Sequence, residues 1–461
     1  MTYDPSLPGL AEVLTPENVE YTLKKMLSHW SAVTQRRTDA QRSKRIELIS
    51  KLHADQVVGR FLLRLYGIDS GNPDEPVLRS QGDVYPVYTR PEWLVRRSVD
   101  DVLHRPLLNE RFQYANDAGF QSLLEQYLKE LLAAKRVAYD ADTYRALEVR
   151  DDPQGYKLVC SRGRYFGFLG TCGILSDELI DRLIEHGVGA DDVLSDFVRG
   201  AGHAARFNKV AAGLSARALF APNVAGVLDL RRRDCKVGLN VMTVIDTDGG
   251  PKCMLHRRSK FTAEYPNLHH VIPAGTFQPD GRGELSDDEL TKAFSLRYKV
   301  LSELWEECFE SQDAAGQDHV LYGRIDLAAR CVGGEVDKRP IDEVMKMLSN
   351  DEAYLFVTGF GIDLLTASPE MSLLLVIKDK QFAKRYEPHW RLNWEFPGFD
   401  KLNRVRPKCL YALSDVEAIQ QMMRPGHAVP DGAMAIAQGY RTLSQLVEEG
   451  LIDFKVPRWE A

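Results

Sequence analysis

The sequence predicts an α/β (α+β) protein in two parts. Residues 1–225 read as a mainly helical or α+β amino-terminal domain, and residues 226–461 as a mixed sheet sandwiched by helices. Three observations carry this. A chain of 461 residues exceeds one ordinary domain. Apolar residues recur at helical spacing through the first 150 positions. From residue 237 onward, runs of β-branched residues alternate with helical patterns, the order of a layered sheet-and-helix domain.

The balance of 44% hydrophobic and 27% charged residues excludes fibrous and wholly disordered classes. Fifty-nine Lys and Arg against 66 Asp and Glu leave a net charge of −7, which argues against coating nucleic acid or an anionic membrane. No run approaches the roughly 20 apolar residues of a membrane helix. The start, Met1-Thr-Tyr-Asp-Pro, lacks the basic and apolar stretches of a secretory signal. Seven cysteines are scattered with no Cys-x-x-Cys spacing, which predicts reduced thiols and a cytoplasmic location. No repeat or low-complexity segment interrupts the chain.

In order, Thr15-Pro-Glu-Asn starts a helix carrying Val19, Leu23, Met26 and Trp30 on one face. The basic stretch Gln35–Arg45 reads as a solvated helix face, with phosphate contact as the alternative. Gly67–Gln81 reads as a loop. A helix is predicted over Phe120–Lys135, striped by Leu123, Leu124, Tyr127, Leu128, Leu131 and Leu132. Strands are expected at Lys157–Ser161 and Tyr165–Leu169 around a turn at Arg162-Gly-Arg164, before a short helix capped by Ser176 and ended by Gly187. Farther on, Val237–Ile245 and Lys252–Arg257 read as strands joined by the turn Asp246-Thr-Asp-Gly-Gly-Pro. Later strand candidates are Val320–Leu327, Ala353–Ile362 and Met371–Ile377, with a helix over Val416–Met423.

The chemistry-bearing element is a helix over roughly 293–310. Phe294, Tyr298, Leu301, Trp305 and Cys308 fix its apolar face. At about 100° per residue, Glu303, Glu306 and Glu307 share an arc of roughly 100°. Acids so placed repel one another, and Lys299 is the obvious local counter-charge. A hard divalent cation, Mg²⁺ or Mn²⁺, would convert that repulsion into coordination. The plain alternative is a solvated acidic face.

Upstream stand Leu255-His-Arg-Arg-Ser and His270-Val-Ile-Pro-Ala-Gly-Thr-Phe-Gln-Pro279. With the acidic helix and a closing helix from Pro430, they resemble the Nudix hydrolase arrangement over about residues 226–445, and in particular large bacterial Nudix-like proteins with a degenerate box. The resemblance implies that Glu303, Glu306 and Glu307 hold Mg²⁺ or Mn²⁺ as the catalytic acids, and that Gly275 opens the box. Arg257 and Arg258 would grip phosphate oxygens of a nucleotide-type substrate. Two departures stand out. Ser302 occupies the place of the family's arginine, and Gly275 precedes Ser302 by 27 residues where the family motif has about 14, implying an insertion over Asp280–Lys292 that holds Glu284.

Asp363, Glu370 and Glu395 are candidates for a further acid, and His269 and His270 for a place beside the turn. Phe277, Phe360 and Trp394 are candidates for stacking on a base, with core packing as the alternative. Cys308 lacks a partnering histidine and is a poor nucleophile. Two readings follow: a metal-dependent hydrolase of a nucleoside diphosphate linked to another moiety, or a Nudix-like nucleotide sensor or interaction module without turnover. A homodimer is compatible with either. A DNA-binding role would rest on the basic stretch alone.

Overall fold

The computed structural model describes residues 16–134, 140–187, 202–259, 262, 265–279, 285–308, 340–387, 390 and 409–459. Among these, twelve strands occur in chain order. They are β1 (Val77–Ser80), β2 (Asp83–Tyr88), β3 (Arg97–Ser98), β4 (Asp142–Asp152), β5 (Gly155–Arg164) and β6 (Gly238–Ile245). There follow β7 (Lys252–Arg257), β8 (His269–Val271), β9 (Ala274–Thr276), β10 (Ala353–Asp363), β11 (Ser368–Ile377) and β12 (Leu410–Ala412). Ten of them form one mixed sheet in the order β1-β2-β10-β11-β6-β7-β12, with β3 on β10, β8 on β7 and β9 on β6. β4 and β5 form a separate hairpin.

The expected fold class holds: the sheet is mixed and lies between helices. Strands β6 and β11 pair in parallel, and every residue of both is buried, as strands covered on both faces must be. Alternation along β6 divides its side chains between two cores. Leu239 and Val241 pack in the core that contains Leu301, Leu304 and Val344. Met242 and Val244 pack in the one that contains Met434, Tyr440 and Leu443 of the Pro430–Glu448 helix. Gly439 of that helix lets it settle on Met242: a Cβ there would stand 2.3 Å from the Met242 sulfur.

Strands from the first 225 residues belong to this sheet. Tyr88 and Val87 of β2 pair with Ile362 and Asp363 of β10, and β3 pairs farther along the same strand. The sheet is therefore continuous across residue 225. Part of the stretch read as a loop, its last residues, is strand β1.

Three further local readings are corrected. The hairpin turn does not fall at Arg162-Gly-Arg164, which lies inside β5, but at Asp152-Pro-Gln-Gly155, where Gly155 has φ +126°. Only glycine adopts that backbone freely, so the Pro-x-Gly signal outweighs the charged tripeptide. Tyr165–Phe168 is helical, not strand, and runs through the π-helical turn Leu169–Gly173 into the Ile174–Glu185 helix. Aromatic content favours strands only where a pleated surface receives it.

The basic stretch is solvated along most of its described length, Lys44 included, but three of its arginines depart from that reading. Arg37, Arg42 and Arg45 turn inward onto Glu130, Asp177 and Asp181, all buried. Arg45 Nε lies 2.7 Å from Asp181 Oδ1 and its NH2 2.8 Å from Asp177 Oδ1; Arg42 NH2 is 2.8 Å from Glu130 Oε2 and Arg37 NH2 2.7 Å from Asp181 Oδ2. Such charge-assisted bonds knit the first two helices, Pro16–Arg36 and Asp39–Ala54, to Ala118–Ala133 and Ile174–Glu185. Arg37, Arg42 and Arg45 are therefore committed within the protein. The helices Leu296–Cys308 and Val416–Met423 form where expected. Val320–Leu327 lies outside the described residues.

Candidate functional site

The hairpin of β7 and β8 delivers the chain to a bend at Ile272-Pro273. Pro273 offers its carbonyl to Val241 N at 3.0 Å, and β9 then runs along β6 with Gly275 opposite Leu239. This registers Ala274 and Gly275 beneath the Leu296–Cys308 helix. The contact is close: a Cβ on Gly275 would lie 2.3 Å from the Glu303 carboxyl carbon and 2.5 Å from each of its oxygens. Only a residue without a side chain leaves room for that carboxylate. Gly275→Ala should therefore cost about 1–3 kcal/mol by overpacking, read from the urea midpoint. The cost should vanish in a Glu303→Ala background.

The three acids differ in setting. Glu303 is 9% exposed and lies 2.8 Å from the Lys299 ammonium, itself buried. Glu307 is 2% exposed, and its Oε1 accepts the Ala274 N–H at 2.7 Å. Glu306 is half-buried and accepts a bond of 3.2 Å from the Ser302 hydroxyl. The solvated-face alternative is thus overturned for Glu303 and Glu307, which turn toward the bend. The helix is buried on nearly every side, because β9 presents a backbone N–H and a glycine in place of bulky side chains. Ser302, in place of the arginine that the resemblance expects, bonds one turn forward along its own helix.

The remaining candidates are dispersed. Arg257 is exposed and donates from Nε to the Asn267 carbonyl at 2.7 Å. Arg258 faces His256 and His270, whose rings stack with centroids 6.2 Å apart and whose pKa values its charge helps to lower. His269 sets Nδ1 3.2 Å from the His427 carbonyl, and His270 packs on Gly432 in the first turn of the Pro430–Glu448 helix. Asp363 organises its own turn, accepting from Leu365 N, Thr366 N and the Thr366 hydroxyl, and from the Tyr265 hydroxyl at 2.8 Å. Glu370 accepts from Asn240 Nδ2 at 2.9 Å and fills the space above Gly238. Gly238 and Gly275 carry opposite faces of the sheet by alternation, so Glu370 lies across the sheet from Glu303. Phe277, Phe360 and Cys308 are fully buried core. Glu284, Glu395 and Trp394 lie outside the described residues.

Two features escaped the sequence. The burial of Lys299 makes it part of the site and not a passing counter-charge. Its i, i+4 spacing to Glu303 was the available signal. The Glu370–Asn240 pair joins strands 130 positions apart, and no local pattern announces it.

For a divalent cation the donor chemistry fits, since carboxylate oxygens are what Mg²⁺ takes. The present arrangement is not a finished cage. Among the described residues, no group of three or more His, Cys, Asp or Glu side chains is placed to hold a metal ion. Glu303 is held by Lys299 and Glu307 by the Ala274 N–H, and an ion would have to draw both away. No protein-family model matches the chain, and no curated protein sequence matches it either.

Proposed function

We propose that the chain is a cytoplasmic, metal-dependent hydrolase of the Nudix type, acting on a nucleoside diphosphate linked to another moiety. One observation carries the reading. Glu303 and Glu307, on a helix reached only after the long segment beyond the Pro-Ala-Gly bend, close onto that same bend at Gly275 and Ala274. A bound Mg²⁺ or Mn²⁺ would neutralise diphosphate charge and lower the pKa of an attacking water. The chain's part is to hold three oxygen donors on one helical turn, to keep Lys299 as a competing cation, and to exclude solvent from the Gly275 side. No helix of the described residues is long and apolar enough to cross a membrane.

Purified protein with Mg²⁺ or Mn²⁺ and a panel of nucleotide sugars, dinucleotides and nucleoside triphosphates should show turnover. Glu306→Gln, which changes the most exposed of the acids, should lose more than the ~10–100-fold typical of outer-shell partners. Equal turnover in wild type and variant, or none on any compound, removes the hydrolase reading. The second reading, a sensor without turnover, is favoured by the engagement of Glu303 and Glu307 by partners of the chain itself and by Ser302. It expects nucleotide to raise Tm with no product formed.

A further inference from the structure

We propose that Cys172 and Cys235 are a peroxide-oxidisable pair that closes into a disulfide, a modification site separate from the acidic helix. Cys172 Sγ donates to Cys235 Sγ at 3.9 Å, and both residues are fully buried. A disulfide needs about 2 Å, so roughly 2 Å of sulfur movement separates the two states. Cys172 lies in the π-helical turn Leu169–Gly173, a backbone form that recurs at functional positions. Cys235 lies just ahead of β6.

The surroundings distinguish the two sulfurs. Arg233 is fully buried and donates to the Phe220, Gly226 and Val227 carbonyls. Arg145, also buried, donates to the Arg233 and Arg231 carbonyls. Both guanidinium charges stand close to Cys235. Burial opposes ionisation there, but the Cys172 S–H bond and the Arg233 and Arg145 charges overcome it and lower the pKa of the Cys235 thiol. Burial, and then the neighbouring sulfur, push Cys172 well up. Because Cys172 donates to Cys235 and the two guanidinium charges gather on the Cys235 side, Cys235 is assigned as the attacking sulfur and Cys172 as the resolving thiol. The other described thiols, Cys160, Cys253, Cys308 and Cys409, are all raised, with burial the main cause, and stay protonated.

The chemistry balances with a hydroperoxide as oxidant. The Cys235 thiolate attacks one peroxide oxygen and breaks the O–O bond, leaving a sulfenic acid; the other oxygen departs and takes a proton as water or alcohol. Cys172 sulfur then attacks the Cys235 sulfur, the S–O bond breaks, and the hydroxyl leaves with the Cys172 proton as water. Two sulfurs are oxidised and two peroxide oxygens are reduced. Complete burial confines the reaction to an oxidant as small as hydrogen peroxide.

The test treats the native full-length protein with hydrogen peroxide, then labels thiols after denaturation and maps peptides by mass. The expected result is loss of two of the seven thiols, a linked Cys172–Cys235 peptide and recovery of both thiols with a reductant. Cys172→Ser should trap Cys235 as a sulfenic acid captured by dimedone. Seven thiols intact after peroxide, or oxidation that spares Cys172 and Cys235 while consuming another cysteine, overturns the proposal. Because the wild-type mapping stands alone, a misfolded serine variant does not protect it.

Discussion

Lys299→Met should destabilise the protein by about 3–5 kcal/mol in the absence of divalent ions, the usual result of removing one partner from a buried ion pair. The methionine keeps the length of the stem, so packing is largely conserved and the loss reports the carboxylate left behind. Glu303, with its side chain 12% exposed, lies 2.8 Å from the ammonium and directly over Gly275, where it has no room to swing toward the sheet. Two additions give the experiment its meaning. Pairing Lys299→Met with Glu303→Met should restore most of the stability, since a buried pair replaced by apolar groups of similar volume is often neutral. Adding Mg²⁺ to the single variant should raise its Tm more than it raises the wild type's, because the ion takes over the charge that lysine supplied. A Tm indifferent to Mg²⁺ in both chains would leave Lys299 and Glu303 as a structural pair and end the metal reading.

What could be read in advance follows the range of the interaction responsible. β6 and β7 were legible because β-branched residues flank an Asp-Gly-Gly-Pro turn, all within twenty positions. The pairing of Gly275 with the acidic helix was legible only through the resemblance, since three acids on one helical arc fit a solvated face equally well. What a side chain faces was not legible when its partner lies far away in sequence. Arg42 and Arg45 look like solvated charges until Glu130 and Asp181, 88 and 136 positions on, come to meet them. The same holds for β2 and β3, which lie amid helices in the sequence and find their places only against β10. The misplaced hairpin turn is different, since Gly155 and Pro153 were in plain view. The charged tripeptide Arg162-Gly-Arg164 demands no left-handed backbone, whereas Gly155 has φ +126°.

Acidification below about pH 6.5 should weaken the fold, and His53→Phe should blunt the loss. Burial alone takes His53 down to about 4. Burial, then the charges of Arg258 and His269, takes His256 to about 3, and burial with Arg258 and His256 takes His270 well below its ordinary value. An unfolded chain titrates these imidazoles near 6.5, so as pH falls it binds protons that the native state refuses. Stability is lost at about 1.4 kcal/mol per pH unit for each. His29 and His269, lowered and less deeply buried, act in the same direction. Raised carboxyls oppose them, Asp246 among them, chiefly through burial. Asp234 and Glu178 are raised to about 7, chiefly by burial, so the native state keeps protons that the unfolded chain releases, and each gains stability as pH falls from 7 toward 4.5. The lowered imidazoles outnumber the raised carboxyls, so the net effect between pH 6.5 and 4.5 is a loss of stability as pH falls. His53→Phe keeps a ring against Tyr265, whose centroid lies 4.9 Å away, and should make that slope shallower by about 1.4 kcal/mol per unit. Asp234→Asn removes an opposing proton and should steepen it by about 1.4 kcal/mol per unit. Urea midpoints at pH 4.5, 5.5 and 6.5 separate the three proteins. A slope left unchanged by His53→Phe would mean that this imidazole takes up its proton in the native state.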